Sequence, residues 1–357
     1  MKKYTVVLIL LISACTKNTA HHVQLADIPG DILFISRRTP NSADWSLFIM
    51  NMDGSNQRLL VNNFVRCNPP VLSNNGNRIA FTTYENNIYH LYVIGKDGQN
   101  LILLSTGKQY CGSPAWSPDD TKLLFTKNDS PSGGTFDIYS VNSNGSNEVK
   151  LTTQDDNFSP QWFPDGNKIL FSAFNSIGNS GLYTMNVNGS DRHLLTPPVK
   201  SFGNPHISPD GTKIAMVGPD QGNAAQIFVI NSNGSGLKQL TSVSTPSNFP
   251  GSPPNGNGEP TWSPDGTKIA YVFYGNDNGT PDIFVMNSNG LNQKRLTNGP
   301  IRDESPCWTK DGNYILFSSN RQLNMSSEIY IMKANGESQR ALTNYIADDI
   351  FPVFVPR

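Results

Sequence analysis

The residues able to do chemistry in this 357-residue chain are few, and their spacing carries the information. Seven prolines recur at positions 70, 114, 160, 205, 260, 306 and 352, and three residues before them stand Cys67, Cys111, Asn157, Phe202, Asn257, Asp303 and Asp349. Together with Glu304 and His206, this ring could coordinate a cation or hydrogen-bond a peptide or a sugar. Its ordinary alternative is a wet channel mouth in which Asp and Asn cap the strands that begin there. Cys67 and Cys111 occupy equivalent positions one repeat apart, so an oxidising compartment would permit a disulfide between them. Neighbouring inner strands bring such positions to about 7 Å between Cα atoms, the upper limit for a bridge. Cys307, beside Trp308, reads as a buried packing thiol. There is no Gly-x-Ser-x-Gly elbow for a serine nucleophile. Of the five histidines, His21 and His22 precede the repeats, and His90, His193 and His206 fall at different repeat positions. Asn276-Asp277-Asn278-Gly279 looks like the start of a calcium loop but lacks the bidentate acid at the required spacing. The sequence therefore predicts no metal and no cofactor. A pair such as Asp303 and Asp349 remains as an acid–base alternative, for a channel-site enzyme acting on carbohydrate.

What positions these residues is an internal repeat. One motif is a turn: Ser-Pro-Asp-Gly at 208–211 and 263–266, with variants at 117–120, 163–166 and 309–312 and a worn copy at Ser73-Asn74-Asn75-Gly76. A second is Asn-x-Asn/Asp-Gly at 51–54, 142–145, 186–189, 231–234 and 287–290, with looser copies at 95–98 and 333–336. Proline presets φ at the second position of a type I turn, and glycine accepts the left-handed conformation that closes a tight hairpin. Between the motifs run short continuous apolar stretches such as Ile283-Phe284-Val285-Met286, which fit strands buried on both faces. Each unit thus reads as four strands joined by a tight turn, a variable loop and a tight hairpin, which is a propeller blade. The prolines open seven innermost strands. The first unit, Ile32 to Leu60, lacks that strand, and the last, Phe351 to Pro356, is that strand alone. The sequence predicts an all-β, seven-bladed β-propeller, with six blades as the alternative, closed by the C-terminal strand pairing into the N-terminal blade. Trp116, Trp162, Trp262 and Trp308 share one strand position, with Phe354 in register, and read as inter-blade core.

The N-terminus addresses the compartment. Lys2 and Lys3 precede the apolar run Val6 to Ile12, too short to span a bilayer but suited to a secretion signal. Ile12-Ser13-Ala14-Cys15 resembles the lipobox of bacterial lipoproteins, which implies cleavage before Cys15 and acyl chains on its thiol. The expected organisation is a signal peptide over 1–14, a lipidated Cys15 with a tether over 15–30, and the propeller over 31–357. Thr16 after the cysteine, by resemblance to bacterial sorting signals, points to the periplasmic face of the outer membrane. Lys plus Arg is 27 against 28 for Asp plus Glu, without a basic patch, so a nucleic-acid partner is not expected.

The repeats SPDGTKIA, IFVMNSNG and QKRLT resemble those of the TolB β-propeller family over roughly residues 31 to 357, and are similar in kind to the propeller of prolyl oligopeptidase-type enzymes. The resemblance implies a periplasmic propeller that binds a protein such as a peptidoglycan-associated lipoprotein. The sequence departs from TolB in three respects. Its propeller begins about fifteen residues after Cys15, with no room for the α/β domain that precedes TolB's. It counts seven units against TolB's six blades, and it carries a lipidation signal. It accordingly reads as a non-catalytic envelope binding protein that engages an envelope protein or peptide through the variable loops of one propeller face.

Overall fold

A computed structural model describes residues 30–38, 45–64, 69–108, 110–130, 134–174, 180–197, 202–222, 224–242, 256–274, 280–321 and 326–356. Among these residues twenty-eight strands form seven four-stranded antiparallel blades, as the repeat count predicts, with one parallel bridge, Ala225 to Gly256, joining blades 5 and 6. From the axis outwards, blade 1 runs Asp349–Pro356, Gly30–Ser36, Trp45–Asn51 and Arg58–Phe64. The C-terminal strand pairs antiparallel with the first, Gly30 opposite Pro356 and Ser36 opposite Asp349, so neither end of the repeat leaves an inner edge unpaired. The inner strands of blades 2 to 7 are Val71–Leu72, Tyr110–Trp116, Asp156–Trp162, Gly203–Ile207, Gly256–Trp262 and Asp303–Trp308. No helix among the described residues is long and apolar enough to cross a membrane.

The recurring motifs each close a defined set of bonds. In the Ser-Pro-Asp-Gly turns the serine hydroxyl donates to the aspartate, as from Ser208 to Asp210 at 2.6 Å, and accepts from the backbone five residues on, as from Lys213 N–H at 2.9 Å. The Leu-Thr that ends a unit holds its outermost strand: Thr152, Thr241, Thr297 and Thr343 each accept the N–H of the third strand's isoleucine at 2.9 Å. The blades pack face to face on large apolar side chains, with Phe34, Phe81, Phe125, Phe171, Tyr271 and Phe317 among the largest that are fully buried. These six come from second strands, and each stacks or tilts against an aromatic of the third, such as Phe171 on Tyr183 with ring centroids 5.7 Å apart.

A bulge recurs on the inner strand of six blades. In blade 4, Ser159 and Pro160 together face Phe171, and in blade 6 Glu259 and Pro260 together face Tyr271. The residue before the proline adopts positive φ in each: Ser113, Ser159, Asn204, Glu259, Ser305 and Phe351 lie between 47° and 57°. Proline suits the second bulge position because it has no N–H to lose from the ladder. The bulge is what makes room for the large second-strand side chain opposite it.

Candidate axial site

The inner strands surround an axial cavity of about 870 Å³. Its wall is built from the bulges: the residue before each proline, the proline itself and the residue after it. Going round the ring, blades 3 to 7 contribute Ser113, Ser159, Asn204, Glu259 and Ser305 at the first of these positions, whereas blades 1 and 2 contribute Phe351 and Pro69. The cavity is therefore two-sided, with a polar arc of five blades facing an apolar arc of Phe351, Val353, Pro69, Val71 and Leu72.

The tryptophans lock the wall, and Trp116 and Trp162 also border the cavity. The indole N–H of Trp116 donates to Val71 O of the preceding blade at 3.1 Å, Trp162 to Ala115 O at 3.2 Å, Trp262 to His206 O at 2.9 Å and Trp308 to Thr261 O at 3.3 Å. Each acceptor is the residue after the inner-strand proline, so one indole per interface fixes the strand that lines the cavity. This is the inter-blade role expected of the series. Blade 5 carries Ile207 at the tryptophan position, and there the amide of Gln161 spans the interface. It donates to Pro205 O and accepts from Ile207 N–H at 3.4 Å.

Two ionisable side chains stand on the polar arc. Glu259 accepts from the Tyr274 hydroxyl at 3.1 Å through Oε1 and from Ser305 N–H at 2.8 Å through Oε2. Burial pushes its carboxyl above the usual carboxylate range, with nearby Glu304 acting in the same direction, and the Ser305 N–H opposes them. His206, on the adjacent blade, has Nδ1 facing the Trp262 N–H at 3.4 Å. That acceptor role leaves the proton on Nε2, and desolvation holds the ring neutral with its pKa lowered to about 4.

The sequence-expected ring does not coincide with this wall. Among the described side chains of that ring only His206 lines the cavity. Asn157, Asp303 and Asp349, expected at the channel mouth, are fully buried. Asn157 donates to Phe136 O, Gln154 O and Asp155 O at 2.8 to 3.2 Å. Asp303 receives Arg321 at 2.9 Å on both oxygens, and Asp349 is paired with Arg38. Glu304 is paired with Arg302 at 2.7 Å. Phe202 packs edge-on against Phe228 with centroids 5.4 Å apart. The physical reason is that side chains of an inner strand point into the two flanking blades. Only the bulge, two residues further along, turns them to the axis. The side chain of Asn257 lies outside the described residues, as do Cys15 and Cys67. Cys111 is buried, and desolvation pushes its thiol up to about 12. Glu259 and Tyr274 were missed. The signal available was the residue preceding each proline, where a glutamate interrupts Ser113, Ser159 and Ser305. Among the described residues no three His, Cys, Asp or Glu side chains gather into a group that could hold a metal ion.

The sequence matches the family described as TolB beta propeller domain over residues 29–258 and 247–357. A search of curated proteins finds no match. Among solved structures, TolB from Acinetobacter baumannii shares 21% identity, with 94% of this chain and 86% of that one covered and a TM-score of 0.56. The propeller domain of the trilobed protease from Pyrococcus furiosus shares 14%, with 88% and 94% covered and a TM-score of 0.65. An oligogalacturonate lyase from Vibrio parahaemolyticus shares 14%, with 88% and 86% covered and a TM-score of 0.62. At these identities the likeness is one of fold, and the fold serves proteins with and without catalysis.

Proposed function

The chain belongs to the TolB beta propeller domain family, and on that footing we propose that it is a non-catalytic binding protein of the cell envelope. It takes a protein or peptide partner through the loop face of the propeller, with the axial cavity as a recognition pocket. The observation that carries this reading is the cavity itself. Its volume of about 870 Å³ lies within the range of ligand sites, and its wall sets proline and aliphatic surface against an arc of polar groups, the composition of a recognition pocket. The partner class is an envelope protein, such as one anchored to peptidoglycan. In this reading Cys15 carries the lipid, and a tether of about 15 residues with an r.m.s. span near 20 Å keeps the disc close to the outer membrane.

The link between the seventh blade and the closing strand offers a place to test it, because Ile346 there is 85% exposed. A photo-crosslinking amino acid at position 346, activated in intact cells, is expected to capture a discrete envelope protein. The same group at exposed Leu291, on the hairpin face, is the control. Equal yields from the two positions, or capture from neither, would overturn the reading. Metabolic labelling with palmitate tests the anchor: the wild type takes up label and Cys15→Ser does not.

A further inference from the structure

We propose that the axial cavity is a receptor for a primary ammonium group carried on an aliphatic stem, as in a lysine side chain of an extended peptide, with Glu259 as its counter-ion. The inference rests on the binding reading above and names the chemistry of the ligand.

Half-buried Glu259 differs from the buried aspartates of the inner strands. Asp303 has Arg321 and Asp349 has Arg38. Among the described residues Glu259 has two neutral hydrogen-bond donors, Tyr274 and Ser305 N–H, and no ion pair, the nearby Arg302 being taken by Glu304 at 2.7 Å. A carboxylate set into a protein wall without a cation is destabilised, and what relieves it is a proton or an opposite charge. This carboxylate borders a ligand-sized cavity, so the opposite charge can come from a ligand. The site is also prepared for one. Both oxygens are held by donors on separate strands, and neither donor competes for the negative charge as a cation would. Glu259 sits at positive φ, 50°, at a place where three other blades use serine, so the backbone there is the same while the side chain is not.

The surroundings decide which cation fits. Three blades around the ring from Glu259 stand Pro69, Val71 and Leu72, an apolar wall able to cover a methylene stem while its charged head reaches the polar arc. His206 on the cavity wall adds a neutral Nε2–H donor one blade away, suited to an acceptor such as a peptide carbonyl, and being uncharged it does not repel an ammonium. A hydrated metal ion has no use for the apolar arc, and an anion would face Glu259. A chain with an aliphatic stem and a terminal ammonium uses every part of the wall.

The test uses the full-length protein and three acetylated, amidated pentapeptides, Gly-Ser-X-Ser-Gly, where X is lysine, norleucine or glutamate. The readout is the indole N–H resonance of Trp262, whose ring donates to the His206 carbonyl on the cavity wall. At pH 8 the lysine peptide is expected to shift that resonance with an affinity at least about tenfold above the norleucine peptide, and the glutamate peptide to bind weakest. Glu259→Gln is expected to abolish the preference. Should that variant fold poorly, lowering the pH on the wild type to protonate Glu259 does the same without a substitution. Equal affinity of the wild type for lysine and norleucine peptides overturns the ammonium site and leaves the binding reading standing. An unmoved indole with all three peptides also overturns it. The crosslinking at position 346 then decides the fate of the binding reading separately.

Discussion

Blades 6 and 7 carry an acid at the same place, just before the isoleucine whose N–H bonds the outermost threonine, and they treat it differently. In blade 6, Asp282 receives Arg295 from the outermost strand at 2.6 Å. In blade 7 the acid is Glu328, and the position matching Arg295 is Ala341. Glu328 is left with the Thr343 hydroxyl and Tyr345 N–H, and it shares with Asp349 the field of Arg38 from blade 1. Burial, the largest cause, and Asp349 push its carboxyl from 4.5 to about 7, against the Thr343 and Tyr345 bonds and Arg38. The repeat fixes where the acid stands, and one residue on the outer strand fixes its charge. The consequence falls on ring closure, because Asp349 opens the closing strand and Arg38 lies two residues beyond the end of the strand it pairs with.

Removing Arg38 has the largest expected effect. Arg38→Met leaves Asp349 and Glu328 buried with no cation, and breaking a buried pair in this way costs about 3–5 kcal/mol. Arg321→Met strips Asp303 alone and is the matched comparison in blade 7. Urea unfolding at pH 8 should show the greater loss for Arg38, and at pH 5, where Glu328 and Asp349 hold protons more readily, the gap should narrow. A gap that is absent at pH 8, or that does not change with pH, would show that the second acid is irrelevant to the latch.

Glu328→Gln is next. A folded value above 4.5 means that the folded protein holds more protons than the unfolded chain between about 4.5 and 7. Stability is therefore greater at the acid end of that window and falls as pH rises through it. The fall attributable to this group is on the order of 2 kcal/mol. Comparing the variant with the wild type at pH 5 and pH 8 isolates it: Gln should gain on the wild type at pH 8 and match it at pH 5. The reverse order would place the charged form of Glu328 among the stabilising groups. Smaller again is Ala341→Arg, which supplies the cation that blade 6 already has. It should raise stability at pH 8 by about 1 kcal/mol, the worth of a charge-assisted hydrogen bond at a partly exposed site, and flatten the pH dependence. If it does neither, the difference between the blades has another origin.

The architecture was legible because its signals are local. Ser-Pro-Asp-Gly, Asn-x-Asn-Gly and Leu-Thr each close hydrogen bonds within a few residues or to the adjacent strand, so the residue types reveal the geometry. The seven prolines marked the inner strands, and Phe351 to Pro356 read as the closing strand. The wall of the cavity was not legible in the same way. Asn157, Asp303 and Asp349 look like a channel ring only if the inner strand alternates regularly. The bulge at Ser159-Pro160 and its equivalents adds one residue, and nothing in the proline alone announces a positive φ before it. Glu259 could have been singled out as the odd member of the pre-proline series. Its hydroxyl partner Tyr274 lies on the next strand at a distance set by tertiary packing, so one sequence does not pair the two.

The comparison between blades extends to the tight turns, where a departure from the motif has a partner in the neighbouring blade. The turn glycines of blades 4 to 7 rest on the proline of the preceding turn, Gly211 most closely, where an added Cβ would lie 3.2 Å from Pro164. Blade 2 has Asn74 where blades 3 to 6 have proline, and blade 3 has Asp120 where the other turns have glycine, at φ 59°. The two changes belong together. Asn74 opens the space and exposes an N–H that proline lacks, and the Asp120 carboxylate fills that space, accepting from Asn74 N–H at 2.7 Å, Asn75 N–H at 2.9 Å and the Asn74 amide at 2.9 Å. Asp120→Gly relieves a left-handed non-glycine residue, worth about 1 kcal/mol, while removing charge-assisted bonds of somewhat greater value. The expected result is a net loss below about 1 kcal/mol in urea unfolding. Asn74→Pro alone should cost more, since it sets a ring against the Asp120 carboxylate and removes the N–H it accepts. The double variant restores the pairing used elsewhere in the ring and should recover most of that loss. Strict additivity of the two single changes would show that the turns do not read each other across the blade interface.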